Sequence, residues 1–505
     1  MAEERGYDVV VIGGGGSGLA AAIAAADQGA GVIVLEKNPV LGGTTALSVG
    51  VISATRTPNQ TRMGIVDSPE AHYEDMELFS KIYTSRADND ALRRVLAENL
   101  PDTVQWLSSL GVEFFGPTEE SPHRKPRMHN ALPGARSYIY HLQRRAKSIG
   151  VQILTNARAR RLLVSDGRVV GVEFDQPGGA GTVARAARGV ILTTGDYSAN
   201  PDMKRELISA AVADAAPVNP NSTGDGQRMA LELGAKILNG DMFHGGARFV
   251  APAKPSWISK LPPSRWLMRL TNLALRYAPT SIVRRFVMGF LTSVLVPSHN
   301  LFGAGAILVN KVGERFADES RKTVFELAYQ PDGIAYILLD GELAEKFSKA
   351  PHEISTAPGF AYAYLGDYEK NRLDLFHKGS TLEELARSMG IDSAKLAATV
   401  EKYNTSDADD APAGPPARGQ RPRLRSPPFY ALGPVRNYIN FTDGGLAVNE
   451  RLQVLDAQDR AIPGLYAAGS AGQGGLLLKG HGHHLGWAFT SGRLAGKYVT
   501  NRAGV

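Results

Sequence analysis

The 505 residues exceed what one hydrophobic core ordinarily serves, and 43% hydrophobic with 21% charged residues is a globular composition, so two joined domains are expected. A formal charge of +6 without aromatic-interleaved basic clusters excludes a nucleic-acid path and leaves a mild attraction to anions. The absence of cysteine excludes disulfides, thiolate metal sites, thiol relays and a cysteinyl cofactor link, so redox chemistry requires a bound cofactor and no metal-ligating set is expected.

The N-terminus, MAEERGYD, runs into an apolar stretch with no basic region, apolar core and cleavage site of a signal peptide, which predicts a cytoplasmic protein. Residues 7–12, YDVVVI, read as a buried parallel strand. The alanine-rich run LAAAIAAADQGA from Leu19 reads as a helix closing at Gly29, and VIVLEK from Val32 as the next strand, completing a βαβ unit. Residues 151–164 and 168–174 read as strands joined by a turn at 165–167, and RGVILTT, 188–194, as a buried strand before Gly195. GDGQRMALELGA, 224–235, has helical spacing and a glycine stop. Residues 251–297 contain no acidic residue and mix Trp, Leu and Arg at helical spacing, most clearly in WLMRLTNLALRY and VRRFVMGFLTSVLV. Neither apolar run approaches the roughly 20 residues of a membrane span. An interfacial helix on anionic lipid, a lid over an apolar substrate and ordinary core helices all fit this pattern. Residues 405–428, rich in Pro, Asp, Ala and Arg, are expected to form an exposed loop, and there is no internal repeat.

Gly13, Gly15 and Gly18 form G-x-G-x-x-G at the first strand-to-helix turn, and Glu36 ends the second strand. Glycines there permit a tight turn and close backbone approach, the helix N-terminus faces a pyrophosphate, and the carboxylate accepts ribose hydroxyls. Gly16, Ser17, Lys37, Ala157, Thr194 and Gly195 are expected to complete the dinucleotide site. FAD is favoured over NAD by a second small-residue loop, LGGTTALS, with Gly42, Gly43, Thr44 and Thr45, where a flat ring could lie on bare backbone. Near the C-terminus, IPGLYAAGS with Gly469 reads as a strand entering glycine. GHGHHLGWAFTSG, with His484, Gly486 and Trp487, reads as a glycine-opened helix whose positive end lies beside the flavin. No second G-x-G-x-x-G appears, so no separate NAD(P)H domain is expected.

In order along the chain, VVVIGGGGSGLAAA, LEKNPVLGGTTA, GVILTTGDYS, TGDGQRMALELGA, GAILVNKVGERFADE, FTDGGLAV and IPGLYAAGS resemble the succinate dehydrogenase/fumarate reductase flavoprotein family. The resemblance implies an α/β fold with a discontinuous Rossmann-type FAD-binding domain, residues 1–240 and 430–505, and an inserted α+β capping domain, 241–429. Members with covalent FAD use a histidine in the loop that here holds Gly42 and Gly43. Thr44 and Thr45 stand there, which implies non-covalent FAD. Fumarate reductases place an arginine proton donor four residues after the acid of R-F-x-x-E. That position is Thr323, with Arg321 and Lys322 beside it. Their histidine before T-x-G-G is Phe441, and their C-terminal carboxylate-binding arginine aligns with His484. These departures imply that a dicarboxylate is a poor substrate. In the 3-ketosteroid 1-dehydrogenase branch a G-P-G-x-x-x-G stretch supplies a backbone N–H to the substrate carbonyl. Here Gly480, Gly482 and Gly486 keep the glycines with His481 in place of proline, and Gly482 takes the amide role. That branch's tyrosines fall on Thr323, Leu478 and, before Pro133–Gly134, on His129.

Desaturation beside a ketone needs a base for the α-proton, donors for the enolate oxygen and flavin N5 near the β-hydride. The resemblance makes the Gly482 amide one donor. His129, Tyr138, Tyr140 and Tyr438 are candidates for base or second donor, with His481, His483 and His484 as neighbours of the flavin helix. Each has a plainer reading: Tyr138 and Tyr140 as packing residues, HRKPRMHN around His129 as a solvated loop or anion clamp, His483 and His484 as structural. Lys479 either pairs with a carboxylated substrate or faces solvent. The favoured expectation is an FAD-dependent dehydrogenase that inserts a C=C bond beside the carbonyl of a cyclic ketone, 3-ketosteroid or cyclohexanone-type, and passes electrons to an external acceptor. An ene reductase for an unsaturated acid, held by Arg127, Arg136 or Arg321, is the second reading. A non-catalytic flavoprotein docked on a membrane through 251–297 is the third.

Overall fold

The computed structural model describes residues 4–250, 261–277, 288, 292, 296–317, 319, 326–327, 329–357, 361–405 and 423–501. Most of VRRFVMGFLTSVLV, most of the expected loop at 405–428, and Arg321, Lys322 and Thr323 lie outside them.

The chain begins with β1 (Glu4–Ile12), α1 (Gly16–Ala26) and β2 (Val32–Leu35). Val9, Val10 and Val11 are wholly buried, as a central parallel strand requires. The helix starts at Gly16, three residues earlier than its apolar run suggests, so its first turn is glycine and serine. Next come β3 (Val51–Ser53), α2 (Pro69–Tyr83), α3 (Asp90–Leu110), β4 (Glu113–Thr118), β5 (Met128–Leu132) and α4 (Arg136–Ser148). The single strand expected at 151–164 is two, β6 (Gln152–Leu154) and β7 (Arg158–Ser165). Asn156, at φ 55°, turns the chain between them, and the Ala157 amide donates to the Glu36 carbonyl at 2.8 Å. β8 (Arg168–Gln176) and β9 (Gly179–Leu192) follow.

Near the other end lie β15 (Gln453–Leu455), β16 (Ala461–Ala467) and α7 (His483–Thr500). One sheet runs β15-β16-β9-β1-β2-β6, with the β7–β8 hairpin attached to β9. The β16, β9, β1, β2 and β6 neighbours are parallel, so strands from both chain ends share one layer. α7 lies on α1: a Cβ on Gly492 or Gly496 would run into the carbonyls of Ser17 or Ala21. Small residues on both helices allow that approach.

Between these stretches come α5 (Asp225–Leu231), β10 (Phe243–Phe249), α6 (Arg265–Tyr277), β11 (Ile307–Asn310), β12 (Ile334–Leu339), β13 (Phe376–Gly379) and β14 (Phe429–Thr442). β14 is the spine of a second sheet, pairing antiparallel with β10, β12 and β13. Leu308, Ile337, Leu385, Leu432 and Val435 belong to its core, which is separate from the core built on β1 and α1. No helix among the described residues is long and apolar enough to cross a membrane.

Candidate active site

The carboxyl ends of β1, β2 and β9 open on one cavity, the place where open α/β sheets hold ligands. Of the expected cofactor residues, Gly13, Gly15, Gly16, Ser17, Glu36, Lys37, Gly43, Thr44, Thr45, Ala157, Thr194 and Gly195 line it. Gly13 needs to be glycine, with φ 110° and the Thr193 carbonyl only 2.5 Å from where a Cβ would stand. A Cβ on Gly15 would meet nothing closer than the Gly42 carbonyl at 3.9 Å, so bare backbone faces the cavity. The Glu36 carboxylate accepts the Gly14 amide at 2.8 Å and the Asn38 amide and side chain at 2.9 and 2.7 Å, which fixes its aim at the cavity wall. Lys37 Nζ donates to Thr223 Oγ1 at 2.5 Å and Asp225 Oδ2 at 2.9 Å. Thr194 Oγ1 is buried at the cavity wall with no protein partner among the described residues. Open backbone, an aimed carboxylate, an unpaired hydroxyl and the α1 N-terminus together fit a dinucleotide.

Several expected cofactor residues serve the cradle from outside. Gly18 lets α1 sit against the Gly13 carbonyl, and Gly42 turns its loop at φ 131°. Gly486 packs against Leu100. Trp487 is buried and its Nε1 donates to the Gly469 and Gly472 carbonyls at 3.2 and 3.3 Å, holding that loop beside Ser470, which does line the cavity.

A second cluster gathers where α7 begins. Gly482 caps the helix at φ 84°, pressed so close to β3 that a Cβ would lie 2.5 Å from the Ser53 amide, and Ser53 Oγ donates to the His481 carbonyl at 2.7 Å. Just before it, Lys479 Nζ donates to Asp443 Oδ2 at 2.6 Å and to His244 Nε2 at 2.7 Å. Asp443 follows β14 and His244 belongs to β10, opposite Phe441. The Phe441 ring lies between His244 and His484, with centroids 4.5 and 4.0 Å away. Burial would raise the Asp443 carboxyl, but its contacts with His244 and Lys479 hold it well below the usual range. Burial, opposed by Asp443 and reinforced by His244 and Lys479, presses His484 down to about 3, so it is neutral. His484 Nε2 is 3.9 Å from Asp443 Oδ1 with no hydrogen-bond partner among the described residues. The site therefore combines one buried lysine–aspartate pair, two half-buried imidazoles and an apolar ring.

The other candidates are placed elsewhere or already engaged. His129 is buried with Nε2 at Thr57 Oγ1, 2.8 Å, and Nδ1 at the Arg127 carbonyl, 2.6 Å, and burial lowers it to about 4. Tyr138 is buried, donates to the Gly50 carbonyl at 2.9 Å, and burial lifts its hydroxyl far above the ordinary range. Tyr140 looks outward into an open groove with Arg144 and Trp266. Tyr438 lies on β14 opposite Gly246 and faces the half-buried Arg248. Arg127 is buried between Asp67 and Asp75. Arg136 is exposed at the start of α4. His481 pairs with Glu120.

His483 meets His72 and His123 in a buried triad whose ring nitrogens approach within 4.8 Å. His483 Nδ1 accepts the Gly480 amide at 3.1 Å and His123 Nδ1 accepts Arg127 at 2.9 Å. Imidazoles that bind a metal donate from their second nitrogen, so His123 and His483 are not set as metal ligands; the triad braces the first turn of α7 through the His72–His483 contact at 3.1 Å and the packing of His123 on both rings. The sequence reading missed His244 and Asp443. Asp443 sat in the quoted FTDGGLAV, but His244 carries no motif.

A family model described as an FAD binding domain matches residues 8–247 and 267–477. Over 507 residues the chain is 30% identical to a probable fumarate reductase, Ifc3, of Shewanella frigidimarina (strain NCIMB 400), covering 98% of this chain and 75% of that protein. The open conformation of a flavocytochrome c3 fumarate reductase superposes with a TM-score of 0.74 at 28% identity, covering 98% of this chain and 78% of that one. A 3-ketosteroid-Δ4-(5α)-dehydrogenase from Rhodococcus jostii RHA1, solved with 4-androstene-3,17-dione, superposes with a TM-score of 0.62 at 24% identity over 99% and 97% of the two chains, a likeness of fold alone.

Proposed function

The chain belongs to the FAD-binding-domain flavoprotein family, and from that premise we propose that it reduces the C=C bond of an α,β-unsaturated ketone or acid carrying at most one negative charge. It is an FAD-dependent oxidoreductase acting on carbon–carbon single and double bonds. In this reading residues 241–429 act as the cap over FAD held by 1–240 and 430–505. FAD, when bound, supplies or accepts the hydride.

The observation that carries the reading is the Lys479 ammonium bridging Asp443 and His244 at the mouth of α7. His244 Nε2 lies 2.7 Å from Lys479 Nζ and 3.4 Å from Asp443 Oδ2, on a side chain that remains 29% exposed. His244 donates a proton to the substrate's α-carbon or its carbonyl oxygen, and the Lys479–Asp443 pair holds its ring in place. Asp443 holds the lysine in place and cancels its charge. A dicarboxylate needs two cationic clamps, yet Phe441 is apolar and His484 neutral. The favoured substrate therefore has one polar head and an apolar body.

The test is anaerobic reoxidation of the reduced flavoprotein by a panel of enones, monocarboxylic enoates and fumarate. Enones or mono-enoates should react at least about tenfold faster than fumarate. Fumarate as the best oxidant would sink the substrate assignment. Bleaching of oxidised enzyme by saturated cyclic ketones, without reoxidation by enones, would instead establish the desaturase direction that the Gly480–Gly482–Gly486 pattern suggests.

A further inference from the structure

Helix α6 carries its apolar side chains on the outward face. Trp266, Leu270, Leu273 and Tyr277, spaced to share one side, are 67, 55, 55 and 79% exposed. Met268 is buried on the opposite side, and the buried Asn272 donates its Nδ2 to the Phe114 carbonyl at 3.0 Å. Tyr140 and Leu110 adjoin the stripe across an open groove that also holds Arg144. Four large apolar groups in a row are far more than the scattered exposure of an ordinary surface.

The charge is as one-sided as the apolarity. Residues 251–297 contain seven basic residues and no acidic one, whereas the chain as a whole carries +6, so everything outside this stretch is net −1. Of the arginines on α6, Arg265 and Arg269 share a single acid, Glu113, at 3.6 and 3.0 Å. An aromatic–aliphatic stripe flanked by arginines is the pattern of a helix lying in a lipid interface.

We propose that this face docks the protein peripherally on an anionic bilayer, with the α6 stripe entering the headgroup region and Arg144, Arg265 and Arg269 beside it on acidic headgroups. A second copy of the chain is a poor occupant. Two-fold pairing through the stripe would set Arg144, Arg265 and Arg269 of one copy against the same three of the other.

The test is co-sedimentation of the FAD-loaded protein with phosphatidylcholine vesicles, with and without phosphatidylglycerol. Binding is expected only with phosphatidylglycerol and should weaken as salt rises. Replacing Trp266, Leu270 and Leu273 together by Ser should reduce partitioning by about tenfold or more, with flavin absorbance and melting temperature unchanged. The proposal fails if the wild-type protein stays in the supernatant, if neutral vesicles bind it equally, or if the triple variant binds as well. It fails also if size-exclusion chromatography shows a dimer that the triple variant dissolves, since a second copy would then own the stripe.

Discussion

Lys479 shows what a single buried charge requires: its ammonium lies 2.6 Å from Asp443 and 2.7 Å from His244. Lys479→Met should leave Asp443 buried without its cation, costing about 3–5 kcal/mol in urea unfolding and about a hundredfold in flavin reoxidation rate. Adding Asp443→Asn should restore most of the stability but not the rate. Recovery of both would make the lysine a structural partner only. Glu36→Ala removes the acceptor that holds the Gly14 amide at 2.8 Å at the wall of the cradle. FAD affinity of the apoprotein, read by flavin fluorescence titration, should fall about tenfold to a hundredfold, the worth of one or two charge-assisted hydrogen bonds. An unchanged affinity would remove Glu36 from the site. These two residues differ in how readable they were. Glu36 stands at a distance from the glycines that phosphate and ribose binding dictate, so local sequence suffices. His244 and Asp443 meet only because β10 and β14 pair with His244 opposite Phe441, across a register shift that no spacing reveals.

At the level of elements, the packing of α1 on α7 joins the two ends of the chain at the cofactor cradle. Gly492 lies against the Ser17 carbonyl, backbone that has nowhere to retreat. Gly492→Ala should therefore destabilise by about 1–3 kcal/mol and loosen FAD, because the helix displaced is α1, whose N-terminus lines the cofactor cavity. Gly6→Ala, where no atom lies within 4 Å of the new Cβ, is the control and should leave melting temperature and FAD affinity unchanged. Equal effects from both would mean that the close approach is not what α7 relies on. The periodicity of WLMRLTNLALRY announced α6, but not which side would be inward; Asn272 and its bond to Phe114 decide that. The strand expected over 151–164 was continuous in pattern and broke at Asn156, where the loop must reach back to Glu36. Apolar pattern reports burial, and a redirected backbone inside a buried run leaves no mark on it.

Across the whole molecule, the brace at the start of α7 draws together α2 through His72, the loop before β5 through His123, and the C-terminal helix through His483. Composition and motifs foretold a fold closed by its own C-terminus, yet a set of histidines scattered over 411 positions could not be read as one cluster. Their burial has a consequence for stability. Burial holds His123 at about 3 and His129 at about 4, and pushes His72 and His483 well below the ordinary imidazole value. In the unfolded chain each titrates near about 6.5. A base whose folded-state pKa is depressed contributes its stability above the unfolded value and loses it as pH falls toward the folded one, because only the unfolded chain takes up the proton. The window is thus from about 6.5 down to about 4 for His129, and lower for the others. Within it each neutral histidine removes up to about 1.4 kcal/mol per pH unit, so the urea midpoint of the holoprotein should drop steeply between about pH 6.5 and 5. Calorimetry in buffers of different ionisation enthalpy should show protons taken up on unfolding in that range. Replacing His72 by Phe should flatten the slope by one proton's worth, even where it lowers stability overall. A midpoint that stays level through this range would mean that the folded protein already carries those protons, and that the brace at α7 is a charged cluster rather than a neutral one.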